Sequence, residues 1–119
     1  MPRSAINRGL TGRETEVLSW LVENGLPSES PFRGQATRTT VVGHCSCGCG
    51  TIDLAVDGRR PDSQEGLDVL VDAVGVDPAG HDVAVILFGR KGQLTCLEVY
   101  SPAGIDGVAL PTVDSMRLV

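Results

Sequence analysis

Three thiols sit at alternate positions in the run His44-Cys45-Ser46-Cys47-Gly48-Cys49-Gly50, and a fourth, Cys96, lies further along the chain. Thiolates are soft donors that bind zinc and select Cu(I). A structural zinc site needs four ligands in a tetrahedron. Cys45, Cys47 and Cys49 supply three, with Cys96 as the first candidate for the fourth and His44 or His81 as alternatives. The spacing is tighter than the usual C-x2–4-C pair, whose intervening residues let both sulfurs turn inward. Two other readings stand beside zinc. Free cysteine is a small, often buried hydrophobe, so the cluster can be core packing. It can also serve thiol redox chemistry, although C-x-C lacks the helix N-terminus that activates a C-x-x-C motif.

In an extended strand Cys45, Cys47 and Cys49 share one face with Val41, because side chains alternate with period two. Downstream, Ile52, Leu54 and Val56 are the apolar set, with Thr51, Asp53 and Asp57 opposite. The buried parity therefore switches from odd to even. A strand does this only through a bulge or turn, and Gly48 and Gly50 are the residues that permit one. The cluster is thus expected at a backbone irregularity.

The elements around it follow from local signals. Residues 1–9 are polar and expected to fray. Thr11 with Glu14 forms a capping-box pattern, and Leu10 is placed as its hydrophobic staple. Val17, Leu18, Leu21 and Val22 follow at helical spacing, with Trp20 at the stripe's margin. Gly25 is placed to end this helix in the left-handed conformation, and Pro27 opposes a restart. Residues 28–38 read as a loop or a short second helix. The β-branched run Thr39-Thr40-Val41-Val42 opens the strands. Asp57 to Gly66 reads as a loop and Leu67 to Val76 as a strand ending in the turn Asp77-Pro78-Ala79-Gly80. Asp82–Phe88 and Leu94–Tyr100 form a hairpin, its three-residue loop suiting a type I turn plus bulge with Gly92 left-handed. The chain beyond Ser101 reads as an extended tail. The expectation is a single α+β domain over residues 1–119 with an ordered core at about 9–101: one or two N-terminal helices on an antiparallel sheet of about five strands.

Composition narrows the function. Aromatics make up only 3% of the 119 residues, too few for a base-stacking platform. The formal net charge is −5, and residues 41–119 carry −6 of it against +1 for residues 1–40. An acidic sheet region repels phosphate backbones, which disfavours nucleic-acid binding. There is no apolar run of signal-peptide or membrane-span type, so a cytoplasmic protein with reduced thiols is expected. No G-x-S-x-G, P-loop or dinucleotide fingerprint occurs, and no convergent acid, base and nucleophile can be assembled.

Leu10-Thr11-Gly12-Arg13-Glu14-Thr15-Glu16-Val17-Leu18 resembles the opening helix of LuxR-type DNA-binding domains. The resemblance stops there: Leu26 to Pro31 interrupts the helical pattern, and strands follow in place of a recognition helix. A broader resemblance rests on this opening together with Val42 to Val56, which holds Gly43, Cys45, Cys47, Gly48, Cys49, Thr51, Ile52, Asp53 and Leu54, and with Leu87 to Tyr100, where Gly89, Gly92, Leu94, Leu97 and Glu98 carry the pattern. In this order the chain, over about residues 9–101, is similar to a family of small uncharacterised proteins of actinobacteria and their phages. Gly50 departs from that family, which more often has Pro there. The resemblance implies no activity. The expectation is a non-enzymatic protein-binding or regulatory module, with an unidentified protein partner or a homodimer through a sheet edge. The alternatives are a zinc or soft-metal protein and a thiol-based redox protein.

Overall fold

The computed structural model describes residues 3–61 and 66–119, with side chains from Ile6 onward. Met1, Pro2 and positions 62–65 of the expected loop lie outside the described residues.

Thr11 caps the helix α1, Gly12–Gly25, as its sequence requires. Its hydroxyl accepts from the Glu14 N–H at 3.2 Å, and the Glu14 carboxylate accepts from the Thr11 N–H at 2.9 Å. Val17, Leu18, Leu21 and Val22 form the buried stripe. The other end of α1 departs from expectation. Gly25 is not left-handed, and extended Leu26 provides the cap. Glycine is needed instead for close approach: a Cβ at Gly25 would lie 2.3 Å from Val71 Cγ1. The ambiguous segment after α1 holds a 3-10 turn, Arg33–Arg38. Arg33 Nη1 donates to the helix-end carbonyls of Val22 and Leu26 at 3.2 and 3.1 Å.

Seven strands form one antiparallel sheet among the described residues, against the five or so expected. They are β1 Arg3–Arg8, β2 Thr39–Cys45, β3 Ile52–Val56, β4 Leu67–Val76, β5 Asp82–Arg90, β6 Gln93–Tyr100 and β7 Arg117–Leu118. Their spatial order is β1-β2-β3-β6-β5-β4-β7. Both extra strands are edges. Residues 3–8, expected to fray, pair with β2, with Ser4 opposite His44. At the other edge, β7 pairs with β4 at Ala73 and Val74. Neither segment alternates apolar and polar residues, so neither carries a strand pattern; backbone pairing to a neighbour forms them.

The residues after Ser101 are not a tail. Val108, Leu110 and Met116 join the core with Leu54, Leu87, Leu97 and Val99. Asp77 helps hold this segment. Its buried carboxylate accepts from the His81 N–H at 2.8 Å and the Ala79 N–H at 3.1 Å in the β4–β5 turn, and from the Ala109 N–H at 3.2 Å. Those donors, the His81 amide first, keep its carboxyl below the usual range.

The β5–β6 turn is tighter than expected. Lys91 and Gly92 both have positive φ, at 52° and 77°, so a two-residue loop of type I′ character joins the strands, and the register shift falls further in, at Phe88 and Gly89.

Arg8, the last residue of β1, makes a bidentate pair with Glu14 at 2.8 and 3.0 Å. Burial pushes the Glu14 carboxyl up. The Arg8 guanidinium and the Thr11 donors outweigh this and hold it below its ordinary value. A carboxyl depressed in the folded state stabilises fully above its unfolded pKa, and the contribution is lost as pH falls through the folded value. Glu14→Gln is therefore expected to cost about 1 kcal/mol at neutral pH. The deficit should close on acidification as the wild-type carboxyl takes up its proton. Urea unfolding of both proteins across the acid range checks this, and a deficit independent of pH would count against the ion pair as its source.

Candidate thiol site

Strand β2 carries the parity switch itself. Val41 lies opposite Leu54, but Gly43 lies opposite Asp53, so one extra residue is accommodated between them. A Cβ at Gly43 would sit 2.6 Å from the Asp53 carboxylate, which is why glycine occupies this step. The bulge turns Cys45 onto the face of Gly43 and Asp53, away from Val41. The irregularity expected at the cluster thus begins earlier, and the loop Ser46–Gly50 then closes β2 onto β3. Of the two glycines singled out there, Gly48 has the left-handed φ of 87°. Gly50 does not. Its N–H donates to Val108 O at 3.0 Å, and a Cβ there would lie 3.0 Å from the Leu110 amide nitrogen. Proline at this position would lose that hydrogen bond.

The loop folds back so that Cys45, Cys47 and Cys49 converge, with their sulfurs all within 4.8 Å of one another. Cys45 Sγ and Cys47 Sγ are 2.8 Å apart, and the Cys49 N–H donates to Cys47 Sγ at 3.4 Å. Cys45 is buried, Cys47 exposed and Cys49 between the two. No disulfide joins the four cysteines.

The surroundings shift Cys47 and Cys49 in opposite directions. Hydrogen bonds with the Cys45 and Cys49 thiols push Cys47 up to about 11. Burial pushes Cys49 up as well, but donors from Thr51 and from the neighbouring thiols outweigh it and bring Cys49 below the ordinary thiol value. Thr51 was legible only as a polar residue on the outer side of β3. In the fold it is 3% exposed, and its hydroxyl accepts from the Val99 N–H at 3.0 Å and donates to Val99 O at 3.1 Å. It fastens the end of the cysteine loop to β6.

The other proposed ligands lie outside this group. Cys96 pairs with Asp53 on β6, and β3 separates it from β2. Two strand spacings amount to about 10 Å, beyond the reach of one shared ion. His44 lies opposite Ile52 and directly precedes Cys45 in β2, so strand alternation puts it on the other face. His81 sits in the β4–β5 turn with Nδ1 3.5 Å from the Asp77 carboxylate.

Cys47 and Cys49 line one wall of a cleft of about 240 Å³, with Tyr100, Ser101, Ile105 and Asp106 among the residues around it. Reading the chain beyond Ser101 as a tail missed this wall; the buried apolar pair Val108 and Leu110, which anchors that segment, was the available signal. A larger cleft, of about 520 Å³, lies elsewhere, lined by Arg38, Arg59 and Lys91 with Asp57. Arg38 pairs with Asp57 there, and no thiol reaches it.

No protein-family model, curated protein or solved structure matches this chain. No helix among the described residues is long and apolar enough to cross a membrane.

Proposed function

We propose that this protein binds a soft metal ion, zinc or Cu(I), through Cys45, Cys47 and Cys49. The convergence of three sulfurs within 4.8 Å carries the reading. Tetrahedral zinc with bonds of about 2.3 Å spaces its sulfurs by about 3.8 Å. The trio brackets that spacing, so small side-chain rotations would suffice. Three donors leave a zinc ion one open position, the pattern of sites that exchange ligands, whereas Cu(I) is satisfied by thiolates alone. An open position would face the cleft, because Cys47 and Cys49 form its wall and Cys45 closes the site from behind.

Elemental mass spectrometry of protein purified under reducing conditions without chelator tests the reading. About one ion per chain is expected in the wild type and in Cys96→Ser, and less than about a tenth of that in Cys45→Ser, Cys47→Ser or Cys49→Ser. A wild type that stays empty after purification, and again after incubation with zinc or Cu(I), would refute it.

A further inference from the structure

The trio is graded in a way that coordination does not require. Cys45 is buried behind the other two. The Cys47 sulfur is engaged on one side by the Cys45 sulfur at 2.8 Å and on the other by the Cys49 N–H at 3.4 Å. Cys49 lines the cleft together with Cys47, and its surroundings include the half-exposed side chains of Tyr100 and Ile105. A small organic disulfide fits such a space, with its carbon chain against those side chains and a sulfur toward Cys49.

We propose that the cluster exchanges with low-molecular-weight disulfides, with Cys49 attacking and Cys47 resolving. In the first step the Cys49 sulfur bonds to one sulfur of the external disulfide, whose S–S bond breaks, and the other half leaves as a thiolate that takes a proton. In the second, the Cys47 sulfur attacks the Cys49 sulfur, and the remaining half leaves in the same way. Two protein thiols are oxidised to one Cys47–Cys49 disulfide, and the external disulfide is reduced to two thiols. The proposal goes beyond metal binding and does not depend on it. In a metal-loaded protein the same exchange removes two of three donors, so it would also free the ion. A cleft-lining thiol with a second thiol within reach to resolve it is the usual arrangement of a redox-responsive cysteine.

The test uses the full chain, as purified and again after chelation and desalting, with oxidised glutathione at neutral pH. Thiols are then alkylated under denaturing conditions and the peptides mapped. The wild type is expected to fall from four alkylatable thiols to two, with the new bond between Cys47 and Cys49. Cys49→Ser should react at least about tenfold more slowly. Cys47→Ser should stop with one glutathione on Cys49, and Cys96→Ser should react as the wild type does. An early quench of the wild type, showing glutathione on Cys49 before closure, supplies the same evidence should a variant fail to fold. Four thiols left in the wild type, a wild-type rate in Cys49→Ser, or normal closure in Cys47→Ser would overturn the proposal. Exchange in a protein that takes up no metal, either on purification or on incubation with zinc or Cu(I), would sink the metal reading and leave this one standing.

Discussion

Gln35→Ala is expected to destabilise the protein by about 2–4 kcal/mol. Gln35 belongs to the 3-10 turn after α1, yet it works on the sheet. Its amide nitrogen donates to Gly92 O at 2.8 Å, and its amide oxygen accepts from the Leu94 N–H at 2.9 Å. Leu94 is fully buried, so its N–H depends on the Gln35 oxygen, whereas Gly92 is exposed at the cleft that Gln35 also lines. Truncation leaves a buried N–H unsatisfied beside a small cavity, and both cost free energy. Gln35→Glu separates the terms. It can keep the acceptor for Leu94 but turns an oxygen toward the Gly92 carbonyl, so it should also destabilise at neutral pH. Chemical denaturation of the three proteins measures this. An alanine variant within about 0.5 kcal/mol of wild type would mean that the β5–β6 hairpin holds without the clamp.

Gly25→Ala should also destabilise, by about 1–3 kcal/mol, although the same change inside an ordinary helix is favourable by about 0.5–1 kcal/mol. The reversal comes from the approach of α1 to β4. The added methyl would meet Val71 Cγ1 at 2.3 Å and Cγ2 at 2.8 Å, and Val71 is 4% exposed with little freedom to turn away. Either the valine leaves its rotamer or the helix lifts from the sheet. The double variant Gly25→Ala/Val71→Ala separates this contact from any backbone effect. Removing the clashing methyls should make the alanine at 25 neutral or favourable, a coupling of at least about 1 kcal/mol in a double-mutant cycle. If the two substitutions simply add, close approach is not the reason for glycine at this position.

Local chemistry made several parts of this protein readable in advance. Thr11, Glu14 and the stripe Val17, Leu18, Leu21 and Val22 specify α1 through bonds and contacts no more than a turn or two apart in sequence. Leu67–Val76 has the same bounds as the strand read from composition, and the turn from Asp77 to Gly80 follows it. The three close cysteines marked the site, since thiols at alternate positions share one face of an extended segment. What remained illegible depended on partners distant in the chain. Gly25 is glycine because of Val71, Gly50 because of Leu110, and Gly43 because of Asp53. The edge strands β1 and β7 exist because β2 and β4 offer them hydrogen bonds, which leaves no hydrophobic period to detect. Cys96 looked like a fourth ligand because sequence separation says nothing about strand order. The arrangement β2-β3-β6 interposes β3, and that spacing alone keeps Cys96 from the trio. Residue types and their spacing were enough for the helix, most of the strands and the location of the cysteine cluster. Which thiols meet was settled only in the fold: the loop between β2 and β3 doubles back to gather the trio, and strand order, set by long-range backbone pairing, holds Cys96 apart.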